Sequence, residues 1–261
     1  MKTICLHNKS RIEAFLRRNT FLHIYSIGDL DDHSWHHTTW HASEENGDLK
    51  AIALLYSRLS KPVLLALGDD EVPVLKELLC DIVSLLPEEF YCHLSEGLSG
   101  TLERHYKLCS NGEHYKMGLT HPSKLDSVDN SRVEVLPVTC AEELLALYEE
   151  SYPGHCFEPA MSDTQQYCCV RGVEGVISVV GVHVCSERYG VAAIGNLTTH
   201  PDHRRKGHAR SIISCLCKNL LRSVAHIGLN VKSDNVAAIR CYEQLGFEII
   251  ANYEELNACR T

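Results

Sequence analysis

The chain has 261 residues, 44% of them hydrophobic and 23% charged, which is enough apolar content for one large core or two smaller ones. Its formal net charge of -9 argues against nucleic-acid binding, because that function needs clustered Lys and Arg in excess. The sequence has no apolar run of about 18 residues, and its start is too polar for a signal peptide. We therefore expect a cytoplasmic protein that does not contact a membrane.

Cysteine and histidine usage gives neither a metal motif nor a disulfide pattern. The 13 cysteines are an odd number without CxxC spacing, and the histidine-rich stretch from His33 to His41 lacks a carboxylate–histidine motif. We expect free buried thiols and no bound metal.

The first half of the chain mixes predicted helices and strands. Helical spacing of apolar residues predicts helices, and short alternating or β-branched runs predict strands. The predicted helices are 12–18, 72–86 and 98–109, and the predicted strands are 50–57, 62–67, 90–94 and 114–119. Asn46-Gly47 is the signal of a tight hairpin ahead of the first of these strands. A polar, turn-rich stretch at 121–131 predicts a linker, so we expect two domains, 1–125 and 126–261.

The second half repeats this mixture. Its predicted elements are strand 132–137, helix 141–152, strands 175–185 and 189–199, helix 207–223, strand 226–231, helix 235–245 and strand 247–253. Arg104-His105-Tyr106 and Arg240-Cys241-Tyr242 end similar strand-to-helix segments, which suggests a duplicated fold. The fold class predicted is α/β with a mixed (α+β) sheet.

One stretch of the second half carries chemistry. Within residues 196–209, a buried strand ends at Pro201, and the basic loop 204–206 opens through Gly207 into a helix. The first turn of a helix presents N–H groups and the positive end of the helix dipole, and Gly207 has no side chain to hold a diphosphate away from them. Ala209 has only a methyl side chain, so it does not block a second close approach of the diphosphate to the backbone. The stretch therefore predicts an anion site.

The pattern Arg204-x-x-Gly207-x-Ala209, placed after a strand that ends in proline, resembles the acetyl-CoA loop of the GNAT superfamily. The resemblance covers Val133 to the C-terminus and continues at Asn230, Asn235, Ala238, Tyr242 and the Leu245-Gly246-Phe247 turn. It implies a tandem GNAT-like acyl-CoA N-acyltransferase fold with acetyl-CoA as the acyl donor. The first copy is degenerate, because three carboxylates in Gly68-Asp69-Asp70-Glu71 replace the basic loop and would repel a diphosphate.

The resemblance implies a role for each matched residue. Backbone groups of residues 197–199 would hold the pantetheine arm and the thioester carbonyl, residues 204–210 would cradle the pyrophosphate, and Asn235 would bind the pantetheine or phosphate end. The expected donor-binding residues are Leu197, Thr198, Thr199, Arg204, Arg205, Lys206, Gly207, His208, Ala209, Arg210 and Asn235. Tyr242 would stand near the sulfur as general acid, since a phenol of pKa about 10 stays protonated at neutral pH.

The sequence departs from the family pattern at the expected base. Asn196 stands where many members carry a catalytic Glu, so the group that deprotonates the amine is Glu158, His183 or a water held on Asn196. Arg205 and His208 also replace residues that are commonly Gly and apolar, but both side chains can point outward.

These features favour an N-acyltransferase that moves an acetyl or other acyl group from acyl-CoA to a primary amine of a small molecule by direct attack in a ternary complex. Similarity of residues 191–209 to glycine-acylating relatives keeps an amino-acid acceptor and longer acyl donors open. A hypothesis for the first half is that Asp29, Asp31, Asp32 and Trp35 line the amine pocket. The alternatives are a non-catalytic CoA-binding regulatory module and a scaffold.

Overall fold

The computed structural model describes residues 1–136, 140–152, 167–173 and 175–261. The strands are β1 (Lys2–Cys5), β2 (Thr38–Glu45), β3 (Asp48–Tyr56), β4 (Val63–Ala66), β5 (Glu89–Leu94), β6 (Tyr106–Leu119), β7 (Glu134–Leu136), β8 (Tyr167–Gly172), β9 (Gly175–Ser186), β10 (Val191–Thr199), β11 (His226–Lys232) and β12 (Phe247–Arg260). The helices are α1 (Lys9–Leu16), α2 (Ile24–Gly28), α3 (Asp32–Trp35), α4 (Val72–Ile82), α5 (Ser99–Leu102), α6 (Ala141–Ser151), α7 (His208–Leu220) and α8 (Val236–Gln244). Short 3-10 segments lie at Arg17–Asn19, Val83–Leu85, Pro122–Ser127 and Pro201–His203.

Two compact units divide the chain. The first unit consists of Met1–Lys116, Asn230–Asn235 and Ile249–Thr261, and the second unit of Met117–Leu229 and Val236–Glu248. The strand order is β1-β2-β3-β4-β5-β12-β6 in the first unit and β11-β10-β9-β8-β7 in the second, with β6, β11 and β12 divided between the two units. The domain bounds expected from the sequence, 1–125 and 126–261, stay a prediction.

The two units repeat one topology. In the first unit, β1 to β4 pair antiparallel in succession, and α4 carries the chain to β5, which lies parallel to β4. In the second unit, β7 to β10 pair antiparallel in succession, and α7 carries the chain to β11, which lies parallel to β10. The mixed α/β sheet and the duplicated fold predicted from the sequence are confirmed.

The predicted helix at 98–109 is wrong. Only Ser99–Leu102 is helical, and Tyr106 begins β6. The Tyr106 ring packs edge-to-face on Phe90 at 5.0 Å, and its hydroxyl donates to the Pro87 carbonyl at 2.9 Å, so tertiary packing overrides the local spacing. Arg104-His105-Tyr106 is therefore not the helical counterpart of Arg240-Cys241-Tyr242, which does lie in α8.

Other elements follow the sequence more closely. The Asn46-Gly47 hairpin joins β2 to β3 with both residues at positive φ, 53° and 88°, as this turn requires. The predictions did not include β1, β2 or β8, and they ended β12 at Tyr253 instead of Arg260.

The acidic residues near α3 have structural partners. The Asp31 carboxylate accepts the N–H of Asp32 and caps α3, and Asp32 pairs with Lys9 at 2.6 Å. Asp29 is buried, and burial raises the pKa of its carboxyl to about 7. Within the first unit these contacts favour capping and surface pairing over the hypothesis of an amine pocket.

Lys116 lies at the centre of a buried polar group in the first unit. Its side chain is 2% exposed, and its Nζ lies 4.7 Å from the Tyr25 ring centroid and 4.5 Å from that of Tyr253. Among the described residues, Nζ has no hydrogen-bond partner. Burial lowers the pKa of Lys116 to about 7, although the charge of Glu255 acts in the opposite direction. The ammonium form is therefore disfavoured in the folded state.

The carboxylate nearest this lysine is held by other groups. Glu255 pairs with His93 at 3.5 Å and His114 at 3.3 Å, and it accepts the hydroxyls of Tyr91 and Tyr253. Burial raises the pKa of the Glu255 carboxyl, but the charges of the two histidines and the hydrogen bonds from the two hydroxyls together lower it below its ordinary value. Glu255 thus stays ionised while Lys116 lies in an apolar and aromatic environment.

We expect Lys116→Met to stabilise the protein near neutral pH. Between pH 7 and the pKa of a free lysine, Lys116 is protonated in the unfolded chain but neutral in the folded protein, and this difference destabilises the fold. The loss of folding free energy is complete below pH 7 and becomes smaller as the pH rises. The free energy of unfolding should rise in the variant by on the order of 4 kcal/mol at most at pH 6, and by less at pH 9. Urea unfolding at the two pH values measures this.

The matched control is Lys107→Met, at an exposed lysine on the same strand. It should shift stability little and without this pH dependence. A Lys116→Met protein less stable than the wild type at pH 6 would show that the ring contacts outweigh desolvation.

Candidate functional site

The strand–loop–helix junction expected at residues 196–209 is present in the second unit. β10 ends at Thr199, a 3-10 turn spans Pro201–His203, and α7 starts at His208. Proline at the start of the turn ends the strand, since it has no N–H to donate to a ladder. Only eight residues therefore separate the end of β10 from the start of α7.

Gly207 caps α7 with its backbone alone. It has a left-handed φ of 84°, and its carbonyl accepts the N–H of Ser211. No side chain caps the helix start, and within the described ranges no atom lies within 4 Å of the point where a Cβ of Gly207 would be. The first turn of α7 therefore presents its N–H groups to open space, which is the arrangement that binds phosphate.

The basic residues of the loop differ in their hydrogen-bond partners and exposure. Arg204 donates to the carbonyls of Thr199 and Ser151, both at 3.1 Å, and Lys206 donates to the Asp202 carbonyl at 2.9 Å. These bonds fold the loop. Arg205 is exposed with a positive φ of 60°.

Two further basic residues lie in the first turn of α7. The pKa of His208 is lowered, first by burial and then by the charges of Arg132, His203 and Lys206, so its ring is neutral at pH 7. Arg210 has a buried Nε that no described group binds. The loop therefore keeps positive charge beside the helix start.

The ladder beneath this loop is bulged. β10 pairs with β11 from Val191 to Ile194, and the residues after Ile194 continue on β9. Between the pairs Gly195–Gly181 and Thr198–Val179, β10 contains one more residue than β9, and Asn196 there has a φ of 52°. A bulge bends the strand and redirects its side chains, and such bulges are common beside active sites.

Two buried tyrosines hold the bulge. The Tyr148 hydroxyl, from α6, donates to the Asn196 carbonyl at 2.6 Å, and the Asn196 side-chain amide donates to the Tyr167 hydroxyl at 3.3 Å. Burial raises the pKa of both phenols, so both stay protonated at neutral pH. Asn196, expected at the place of a catalytic carboxylate, thus fixes the bulge through its carbonyl and its side-chain amide, and its role in holding a water stays a prediction.

Tyr242 is on α8 and is buried. Its ring packs edge-to-face on Phe247 at 5.8 Å, and its pKa is raised, mainly by burial and further by Cys241, Cys217 and Tyr152. A phenol with a raised pKa remains protonated and can donate a hydrogen bond throughout the neutral range.

The other predicted site residues have simple placements. Thr198 and Thr199 accept at their carbonyls from Ser178 and Arg204, and Leu197 continues β10. Ala209 lies in the first turn of α7. Asn235 precedes α8, belongs to the first unit, and donates its backbone N–H to the Lys232 carbonyl at 3.0 Å.

Glu158 lies outside the described residues, so its role stays a prediction. Within the described ranges, no group of three or more His, Cys, Asp and Glu side chains is placed to hold a metal ion. None of the helices in these ranges has both the length and the apolar content needed to cross a bilayer.

Sequence reasoning did not find the tyrosine clamp, which consists of Tyr148 and Tyr167 hydrogen-bonded to Asn196. Tyr148 lies within the helix predicted at 141–152, and Tyr167 lies in no predicted element. A signal was present in the glycines: a Cβ on Gly181 would lie 2.2 Å from the Tyr167 ring, and one on Gly195 would lie 2.3 Å from the His183 ring. Opposed glycines in two apolar strands indicate that bulky rings lie directly on the sheet.

Comparison with known proteins agrees with this geometry. Residues 136–247 match the model of the Acetyltransferase (GNAT) family. A 57-residue stretch is 40% identical to the [Ribosomal protein bS18]-alanine N-acetyltransferase of Escherichia coli K12, covering 22% of this chain and 38% of that protein. The chain thus spans well under half the length of this relative.

Solved structures match over nearly the whole chain. A Drosophila protein has a TM-score of 0.70 at 12% identity, covering 98% of this chain and 97% of its own. A tandem GNAT protein from the clavulanic acid biosynthesis pathway has a TM-score of 0.58 at 11% identity, covering 99% and 98%. At these identities the likeness concerns the fold.

Fold and junction define a duplicated α/β protein whose second unit has a basic loop and a glycine-capped helix start. Residues 136–247 form an acetyltransferase domain of the GNAT family, within a chain that has the tandem GNAT fold.

Tyr148→Phe should weaken the bulge without unfolding the protein. The variant loses one buried hydrogen bond, worth about 1 kcal/mol of unfolding free energy. It should also reduce the affinity for acetyl-CoA severalfold, because the bulge no longer fixes the position of residues 197–199 relative to β9. Urea unfolding and calorimetric titration measure the two effects.

Tyr106→Phe is the matched control. This buried phenol also donates to backbone carbonyls, those of Leu86 and Pro87, but in the first unit. It should cost similar stability and leave acetyl-CoA affinity unchanged. Equal loss of affinity in both variants would mean that the clamp acts only through overall stability.

Proposed function

We propose that the chain is an N-acyltransferase that moves an acetyl group from acetyl-CoA to a primary amine by direct attack in a ternary complex. The observation that carries this proposal is the open, Gly207-capped start of α7 directly after the bulged end of β10. One element offers N–H groups to a diphosphate, and the other offers a strand edge to the arm that follows it.

The pyrophosphate would lie on the first turn of α7. Gly207 and Ala209 permit close approach, and Arg205, Lys206 and Arg210 supply charge, while neutral His208 donates or accepts a hydrogen bond. Arg204 acts differently in this proposal, because its guanidinium already binds two backbone carbonyls. It shapes the loop that the other groups use.

The pantetheine arm and thioester would follow β10. Thr198 and Thr199 pair with β9 on one edge, and the opposite edge of residues 197–199 is proposed to bind the arm and the thioester carbonyl, with Leu197 nearest the carbonyl. The role that the family resemblance implies for Asn235, at the pantetheine or phosphate end, stays a prediction.

Tyr242 would serve the departing sulfur. Because its pKa is raised above the usual value near 10, full proton transfer to a thiolate of pKa about 8.5 is uphill. A hydrogen bond from the neutral phenol to the developing negative charge has no such cost. We therefore propose Tyr242 as a hydrogen-bond donor that stabilises the leaving group.

The acceptor is proposed to be a small primary amine or amino acid. The match to a protein named as an alanine N-acetyltransferase of a ribosomal protein supports a second candidate, the α-amine of a polypeptide. Free amines and an unblocked alanyl peptide, compared at equal concentration, separate the two.

Gly207→Asp should weaken the proposed anion site by charge repulsion. Calorimetric titration with acetyl-CoA should show at least about a tenfold loss of affinity, because a carboxylate near the diphosphate costs on the order of 1.4 kcal/mol or more. Gly207→Asn is the control: it has the same shape and the same backbone strain at a φ of 84°, and Asn tolerates that region.

The asparagine variant should bind acetyl-CoA much more tightly than the aspartate variant. Equal affinities would show that backbone strain, not charge, controls the site. A folded wild type that binds no acetyl-CoA would leave the scaffold alternative. Binding without thioester turnover across the amine panel would support the regulatory module.

Tyr242→Phe should lower kcat about tenfold to a hundredfold and leave the Kd for acetyl-CoA unchanged, because the phenol acts on charge that develops only during the reaction. Initial rates of thiol release and calorimetry measure the two quantities. A tenfold loss of affinity with unchanged kcat would place Tyr242 in donor binding instead.

A further inference from the structure

His183 is the extra residue of a second bulge in the β9–β10 ladder. Val184 pairs with Ala193 and Val182 pairs with Ile194, so His183 is the additional β9 residue between these two pairs. This bulge is adjacent to the one at Asn196. Two bulges so close together turn an exposed imidazole out of the regular alternation of β9.

The imidazole lies flat on the backbone of Gly195. A Cβ built on this glycine would lie 2.3, 2.5 and 2.6 Å from the ring atoms Cε1, Nε2 and Nδ1 of His183. Three nearly equal distances mean that the ring face, not its edge, covers the Cα. Any larger residue at 195 would displace the ring, so the glycine is what allows this position.

The ring and the tyrosine clamp share one face of the sheet. Gly195 and Gly181 are directly opposed in the antiparallel ladder, so their side-chain directions coincide. Tyr167 covers Gly181 as His183 covers Gly195. The Asn196 amide reaches the Tyr167 hydroxyl from the same bulge. The imidazole is thus the exposed member of a cluster whose other rings are buried.

We propose that His183 is the general base that deprotonates the acceptor amine. The inference rests on the proposed function, in which the thioester carbonyl lies at Leu197, two residues after Gly195. Two strand residues span about 6 Å. That length accommodates a hydrogen bond of about 3 Å from imidazole to amine and an attack distance of about 3 Å from amine to carbonyl carbon.

The proton balance fits an exposed base. The incoming ammonium gives one proton to His183, and the neutral nitrogen then forms the C–N bond as the C–S bond breaks. The second proton of the nitrogen ends on the thiolate, and His183 releases the first to solvent. One acetyl-CoA and one ammonium thus yield one amide, one thiol and one solvent proton.

The neighbouring phenols do not compete for this role. Tyr148 and Tyr167 face the same bulge from α6 and β8, and the pKa of each is raised by burial. Both phenols therefore remain protonated at neutral pH and cannot accept the proton of the amine.

The test compares wild type, His183→Gln and His121→Gln, the last at an exposed histidine of the same unit that pairs with Glu248. Glycine, putrescine and an unblocked alanyl peptide serve as acceptors, and thiol release is followed from pH 5.5 to 9. His183→Gln should lose about 10²-fold or more in kcat, and its pH–rate profile should lack the acid limb that a protonated base gives the wild type, with the Kd for acetyl-CoA unchanged. His121→Gln should behave as wild type.

A readout apart from turnover uses CoA and an amine, which cannot react together. In proton NMR, the His183 ring signal, identified by its loss in His183→Gln, should move when both are present, and the His121 signal should not. If no amine in the panel is acetylated, the rate of acetyl-CoA hydrolysis is measured in place of the acetylation rate, since the same base would deprotonate water.

The outcomes separate the two proposals. A wild type that neither binds acetyl-CoA nor releases thiol overturns the proposed function and this inference with it. A wild type that turns over, with His183→Gln equal to it at every pH, overturns His183 alone. Loss of acetyl-CoA affinity in His183→Gln in step with its loss of rate would also overturn it, because the residue would then act in donor binding.

Discussion

The hydrogen bond from the Tyr148 hydroxyl to the Asn196 carbonyl is the contact on which the candidate site depends. Asn196 holds a left-handed backbone that costs about 1 kcal/mol or more unless its surroundings impose it. The same helix, α6, also supplies the Ser151 carbonyl that accepts from Arg204. α6 therefore anchors both the bulge and the loop, which fixes the spacing between the strand edge and the helix start.

The duplicated fold allows the two equivalent helix starts to be compared. α4 and α7 are equivalent crossover helices, but α4 begins after Gly68-Asp69-Asp70-Glu71. There the Glu71 carboxylate accepts the N–H of Asp69, and Asp69 is held by Asn19. Carboxylates therefore occupy the start of α4, whereas Gly207 leaves the start of α7 open. Topology is shared between the units, whereas the charge at the helix start differs, and the proposed diphosphate site accordingly lies in the second unit.

Much of the fold and of the loop could be predicted from the sequence, because both depend on local pattern. Apolar spacing predicts α4, α6 and α7, and a proline, three basic residues and a glycine predict the junction. The clamp could not be predicted, because it joins Tyr148, Tyr167 and Asn196 from three elements. The helix expected at 98–109 failed for the same reason: Tyr106 is held in a strand by Phe90 and Pro87, distant in sequence.

In the proposed reaction, the difference in burial between Tyr242 and His183 gives each a different role toward protons. Acetylation of an ammonium releases one proton to solvent and leaves one on the thiol. A buried phenol such as Tyr242, whose pKa is raised, cannot exchange protons with water easily, but it can stabilise a thiolate by hydrogen bonding. An exposed imidazole such as His183 can discharge its proton after every turnover. With Asn196 engaged by Tyr167, the strand position that holds a carboxylate in many relatives is free to shape the backbone, and the base moves to the neighbouring strand.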